Sequence, residues 1–204
     1  MSESQHPIDP STCREMIDTA LDAHLSLTRA TVTQYIDKIV ELADRLMQVF
    51  DAGGKLVLFG NGGSAADAQH IASEFVGRLR GERKALPALA LTNDTSVITS
   101  LGNDYGFEGV FVRQVNALVN SGDAVIAIST SGRSRNVTEA ARAAREQGAL
   151  VIALVGRDGG ELAPEADVAL IVPGTDTQRI QEAHIFIAHL LCEIVDAAAK
   201  QRDE

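Results

Sequence analysis

The sequence predicts an α/β fold, a doubly wound parallel sheet of about five strands flanked by helices. Three observations carry that prediction. From Lys55 onward short apolar runs recur, each closed by Gly, Ser, Thr or Asn and followed by a stretch of helical spacing. The runs are continuously apolar rather than alternating, the pattern of strands covered on both faces. Strand alternating with helix, finally, leads to parallel pairing through crossover connections.

The elements follow in order. After a polar opening, apolar positions at helical spacing mark two segments, MIDTALDAHLSLTRATV (16–32) and YIDKIVELADRLMQVFDAGG (35–54), the second ending in a Gly pair suited to stop a helix. They make residues 1–54 an N-terminal helical segment packing on residues 55–204 as one structural domain. The strands are KLVLFG (55–60), ALPALALT (85–92), DAVIAIST (123–130), ALVIALVG (149–156) and DVALIVPG (167–174). Between and after them lie the helical stretches SAADAQHIASEFVGRL, SRNVTEAARAAREQG and TDTQRIQEAHIFIAHLLCEIVDAAAK, with Thr175 and Gln178 spaced as a capping box at the start of the last.

Bulk composition narrows the function classes. With 204 residues, 45% hydrophobic and 23% charged, the chain suits one soluble domain with a full core. A formal net charge of -10 disfavours nucleic acid and anionic membrane as partners, while leaving small anionic ligands open to local donors. The two cysteines, Cys13 in the polar opening and Cys192 in an apolar run, offer no disulfide framework. The opening MSESQHPIDPSTCREM lacks the layout of a signal peptide, and no apolar run approaches the ~20 residues that span a bilayer. A cytoplasmic protein is expected.

In an open α/β sheet, ligands bind at the carboxyl ends of the strands, where loops lead into helix N-termini with free N–H groups. Two loops there are rich in donors. GNGGS (60–64) follows the first strand, and STSGRS (129–134) follows the third, with Ser129, Thr130, Ser131 and Ser134 placing hydroxyls ahead of a helix. Such a loop fits a phosphate monoester. The letters GNGGSA also satisfy the G-x-G-x-x-A dinucleotide pattern, but that reading needs an acidic residue about 20 positions on, and Asn93 and Asp94 come later than that.

The helix after GNGGS carries His70 and Glu74 four residues apart, with Asp67 a turn earlier on the same side. A His/Glu pair at that spacing can chelate a metal or share a proton; it is also common on exposed helices. The final helix adds Gln181, Glu182, His184 and His189 to an otherwise apolar stretch, where a buried polar group needs a partner. By itself His189 reads most simply as a hydrogen-bonded core histidine.

Five ordered motifs, GNGGSAADAQHIASE, LGNDYGFE, ISTSGRSRNV, GRDGGELA and RIQEAHIFIAHLLCE, together closely resemble the phosphoheptose isomerases of the sugar isomerase (SIS) family, over about residues 55–196. The resemblance implies isomerisation of D-sedoheptulose 7-phosphate to D-glycero-D-manno-heptose 7-phosphate, the first step towards the ADP-heptose of lipopolysaccharide core. It implies one zinc ion per site, with ligands at His70, Glu74, Gln181 and His189. Substrate contacts fall on Asn61, Gly62, Gly63, Glu74, Asn103, Asp104, Ser129, Thr130, Ser131, Ser134 and Gln181, and the assembly it implies is a homotetramer. Proteins similar to the DnaA initiator-associating protein share the fold without catalysis; they resemble isomerases whose glutamate and final-helix histidine are replaced, whereas Glu74 and His189 are both present here.

Moving a proton between C1 and C2 through a cis-enediol requires a base and an acid beside two adjacent carbons, and Glu74 and His189 are the expected pair. Zinc would either loosen from the carboxylate when substrate binds or act on the enediol oxygens. Gln181 and His189 lie eight residues apart, about 12 Å along a helix and roughly 80° around it. With metal–ligand bonds of ~2 Å, one straight helix hardly brings both to one ion, so a site shared between subunits is expected.

Overall fold

The computed structural model describes residues 9–203. The polar opening at residues 1–8 lies outside the described residues. Six helices and five strands follow in chain order: α1 (Pro10–Asp51), β1 (Leu56–Gly60), α2 (Gly63–Val76), β2 (Ala88–Ala90), α3 (Thr95–Tyr105), α4 (Gly109–Leu118), β3 (Ala124–Ser129), α5 (Arg135–Glu146), β4 (Leu150–Gly156), β5 (Val168–Val172) and α6 (Thr177–Asp203). A single 3₁₀ turn at Ala163–Glu165 separates β4 from β5.

All strand pairs are parallel, in the order β2-β1-β3-β4-β5. Successive side chains alternate between the two faces. Leu56, Leu58, Ile126, Ile128, Ile152 and Leu154 turn towards α1, α2 and α6. Val57, Phe59, Val125, Ala127, Val151 and Val155 turn towards α4 and α5. Both faces are therefore dry, which is why the central strands read as unbroken apolar runs. The order reverses direction between β1 and β3, a topological switch point that opens a crevice at their carboxyl ends.

Three local expectations need correction. The two N-terminal segments form one 42-residue helix, because neither Pro nor Gly interrupts residues 11–51. Asp9 caps that helix by accepting from the Thr12 amide, and Pro10 fits its first position. The second strand shrinks to three residues at the sheet edge, after Pro87, which has no N–H to donate. The cap of α6 is Asp176 rather than Thr175: its Oδ1 accepts from the Gln178 amide at 3.1 Å and its carbonyl from Ile180 at 3.0 Å. Helices α3 and α4 were not distinguished within the stretch between the second and third strands; α3 buries no residue fully, so its apolar pattern is weak.

Candidate functional site at the switch point

Both donor-rich loops open onto the switch-point crevice, since Gly60 at the end of β1 lies in register with Ile128 near the end of β3. In the first loop Gly62 adopts φ 57°, and α2 begins at Gly63 without a side-chain cap. Among the described residues no hydrogen bond is made by the Gly62 or Gly63 amide, and both residues are exposed. Gly63 is needed for a further reason: a Cβ there would stand 2.4 Å from the Gln181 amide of α6. The second loop is organised by Ser129, which is buried. Its Oγ accepts from the Gly132 amide at 3.1 Å and donates to Ser134 Oγ at 3.1 Å.

Ser134 stands at the N-cap of α5 but its hydroxyl does not cap, leaving the first amides of a 12-residue helix open to an anion. The two arginines of this loop are already engaged, Arg133 Nη1 donating to the Ser131 carbonyl at 3.1 Å. Arg133 pairs with Asp158 at 2.7 Å and Arg135 with Glu108 at 3.1 Å, both at the surface. An anion at this loop would therefore meet mainly neutral N–H and O–H donors.

Behind the loops, α2 and α6 run side by side. His70 Nε2 lies 2.9 Å from His189 Nε2, the rings meeting edge to face, and 3.6 Å from Glu74 Oε1. Gln181 lies further towards the start of both helices, against Gly63 and close to Asp67. Burial raises the Asp67 carboxyl above its ordinary range, opposed by the Gln181 side chain and by the neighbouring His70 and His189. Asp67 thus joins the site, although the sequence marks it only as sharing a helix side with His70.

The core histidine of the final helix is a different residue. His184 is fully buried with neither ring nitrogen in a regular hydrogen bond, and burial pushes it down to about 4, with only the nearby Val155 backbone opposing. His189 is only partly buried and faces His70.

The remaining predicted residues separate. Asn103 and Asp104 sit in the last turn of α3, exposed and bonded to each other at 2.8 Å, and no contact joins them to the histidine pair among the described residues. Asp94, the residue on which a dinucleotide would depend, caps α3 by accepting from the Val97 amide at 3.0 Å. Among the described residues no three His, Cys, Asp or Glu side chains converge into a ready ligand shell. One site residue was missed altogether. Asn136, in the first turn of α5, is buried and exchanges two amide hydrogen bonds with Asn61, at 2.8 and 2.9 Å. A polar residue directly preceding the buried Val137 was the signal available in the sequence.

The model of the SIS domain matches residues 21–156. The chain is 52% identical over 190 residues to a phosphoheptose isomerase of Roseiflexus sp. (strain RS-1), covering 93% of this chain and 95% of that one. With the phosphoheptose isomerase of Aquifex aeolicus (strain VF5) it shares 53% identity over 173 residues, 85% of this chain and 91% of the relative. Among solved structures, the phosphoheptose isomerase of Neisseria gonorrhoeae superposes with a TM-score of 0.85 at 43% identity, covering 91% of this chain and 99% of that chain. The Francisella tularensis phosphoheptose isomerase superposes with a TM-score of 0.87 at 36% identity, covering 91% and 98%.

Proposed function

This chain belongs to the SIS domain family and, within it, to the phosphoheptose isomerases, and from that premise we propose that it converts D-sedoheptulose 7-phosphate to D-glycero-D-manno-heptose 7-phosphate. The observation that carries the proposal is half-identity along nearly the whole chain, together with His70, Glu74 and His189 gathered where α2 meets α6. The product would enter ADP-heptose synthesis for lipopolysaccharide core, in the cytoplasm. No helix among the described residues is long and apolar enough to cross a membrane.

The loop at 129–134 holds the phosphate through Thr130, Ser131, Ser134 and the open amides of α5, which sets the position of C1 and C2. The Gly62 and Gly63 amides and Asn61 hold sugar hydroxyls. Glu74 takes the proton from C1 while His189 gives one to the C2 oxygen, forming the cis-enediol. Return of the proton from Glu74 to C2, with loss of the O1 proton to His189, yields the aldose.

One zinc ion per site is part of this reading. Two nitrogens on a tetrahedral zinc with ~2.05 Å bonds stand ~3.3 Å apart. The His70 and His189 nitrogens, 2.9 Å apart, need only a small opening, while Glu74 Oε1, 3.6 Å from His70 Nε2, would have to move in to join them, since no three such side chains converge as they stand among the described residues. Bound there, zinc would polarise the oxygens on C1 and C2. Gln181 meets α2 nearer its start than His189 does, so a shell containing both is completed more readily with a residue from a second subunit.

Assembly as a homotetramer with shared sites fits two further features. Asn103 and Asp104 stay apart from the histidine pair within one chain. Met16, Ile17, Leu21 and Leu25 of α1, with Phe186 of α6, are large apolar side chains left exposed, as a subunit contact would explain.

The test is turnover of sedoheptulose 7-phosphate with and without chelator, in the parent and in Glu74→Gln. Loss of the base should slow turnover on the order of 10² to 10⁴. Near-normal turnover in Glu74→Gln removes the assigned base, and activity that survives complete metal removal removes the zinc.

A further inference from the structure

The two ligand loops belong to different strands, and one side-chain contact ties them across the crevice. Asn61 Nδ2 donates to Asn136 Oδ1 at 2.8 Å, and Asn136 Nδ2 donates to Asn61 Oδ1 at 2.9 Å. The two amides thereby form a closed ring of hydrogen bonds, each using one N–H and its carbonyl. Asn136 is 4% exposed, while Asn61 sits partly open in the crevice wall. A primary amide has two N–H donors, so the second N–H of Asn61 stays available, and the ring fixes where it points. The backbone of Asn61 is committed as well: its carbonyl accepts from the Ser64 amide at 3.0 Å, opening α2.

The Asn136 end is equally fixed. It lies in the first turn of α5, whose Ser134 carbonyl accepts from Val137 and Thr138, and whose free amides immediately follow the hydroxyl loop. Displacing Asn136 therefore moves the phosphate donors, and losing its amide frees the orientation of Asn61. No other side-chain hydrogen bond connects the loop at 60–64 with the one at 129–136 among the described residues.

We propose that Asn136 is a positioning residue: acting through Asn61, it sets the separation and aim of the sugar-binding and phosphate-binding loops without itself touching substrate. The role rests on the reading of these loops as a phosphosugar site. It explains why a buried amide stands where an apolar residue would pack more cheaply, since burying an amide without its partner is costly.

The experiment is a double-mutant cycle of Asn61→Ala, Asn136→Ala and the pair. It reads KM and kcat for sedoheptulose 7-phosphate, the dissociation constant of inorganic phosphate by calorimetry, zinc content and thermal midpoint. Asn136→Ala should raise KM on the order of 10-fold or more, since small misplacement of a bound group is costly. Zinc content should stay at the parent value, and phosphate binding should weaken alongside KM. The double variant should lose less than the sum of the single losses, because either single substitution already breaks the ring. Asn136→Asp, which keeps the size but offers no N–H, should bind as poorly as Asn136→Ala. Additive losses, or parent KM and phosphate affinity in a folded Asn136→Ala protein, overturn the proposal; so does a lowered thermal midpoint with unchanged binding. A parent protein that binds phosphate without turning over the heptose phosphate refutes the catalytic reading instead, and the phosphate arm of the cycle still tests the brace.

Discussion

Gly132→Ala is the sharpest test of how the phosphate loop is built. Gly132 has φ 65°, and a Cβ there would stand 2.2 Å from the Gly159 carbonyl oxygen, 2.4 Å from its carbon and 2.8 Å from the Gly160 nitrogen. All three atoms are backbone, so no rotamer relieves the overlap. Adopting the left-handed region costs an L-residue about 1 kcal/mol. Separating the two loops also breaks the Leu162 amide bond to the Gly132 carbonyl, now 3.0 Å, at about 1 to 1.5 kcal/mol more. A total of about 2 to 2.5 kcal/mol should lower the thermal midpoint by roughly 4–10 °C in a chain of this size. Gly53→Ala is the control: φ is 82°, nothing lies within 4 Å, and only the conformational cost applies. Thermal melts followed by circular dichroism give both shifts, and KM for the heptose phosphate should rise only in Gly132→Ala. Equal shifts in the two variants, with KM unchanged, would refute the reasoning that Gly132 is required for the close approach of the phosphate loop to Gly159 and Gly160.

Three further outcomes are expected. Ser131→Ala should weaken binding of the phosphorylated heptose by roughly 1.5 to 3 kcal/mol, leaving zinc content unchanged; equal affinity of the parent for phosphorylated and unphosphorylated heptose contradicts the phosphate role. His184 titrates near 4 in the folded protein against an ordinary 6.5, so the unfolded chain binds the proton first as pH falls. The stability from its neutral burial is complete above pH 6.5 and is lost on acidification, about 3 kcal/mol of it by pH 4. Urea midpoints of His184→Phe should accordingly fall less than the parent's between pH 7 and pH 4, and parallel curves would disprove it. Mixing inactive Glu74→Gln and His189→Ala chains should restore part of the activity if sites are shared between subunits; no recovery despite demonstrated exchange assigns each chain a complete site of its own.

Five strands and helices α2, α5 and α6 were legible from the sequence because burial on both sheet faces leaves unbroken apolar runs, and helix faces leave a different period. The donor loops were legible because Gly and hydroxyl residues concentrate where backbone meets ligand. The limits are equally physical. Helical spacing does not tell one long helix from two; the absence of Pro and Gly from residues 11–51 permits a continuous α1, and its packing along α6 and the sheet shows that it is one. Residue type shows that His184 and His189 are both unusual in an apolar helix, but which one is buried depends on how α6 is rotated against α2 and β4. The pairing of Asn61 with Asn136 joins residues 75 positions apart, and only the adjacency of β1 and β3 brings them within hydrogen-bond reach. Local pattern determined the elements and the kinds of donor this protein carries. Tertiary structure alone decided which donors meet, because contacts between distant segments follow from strand order and helix rotation, neither of which is written in any single window of the chain.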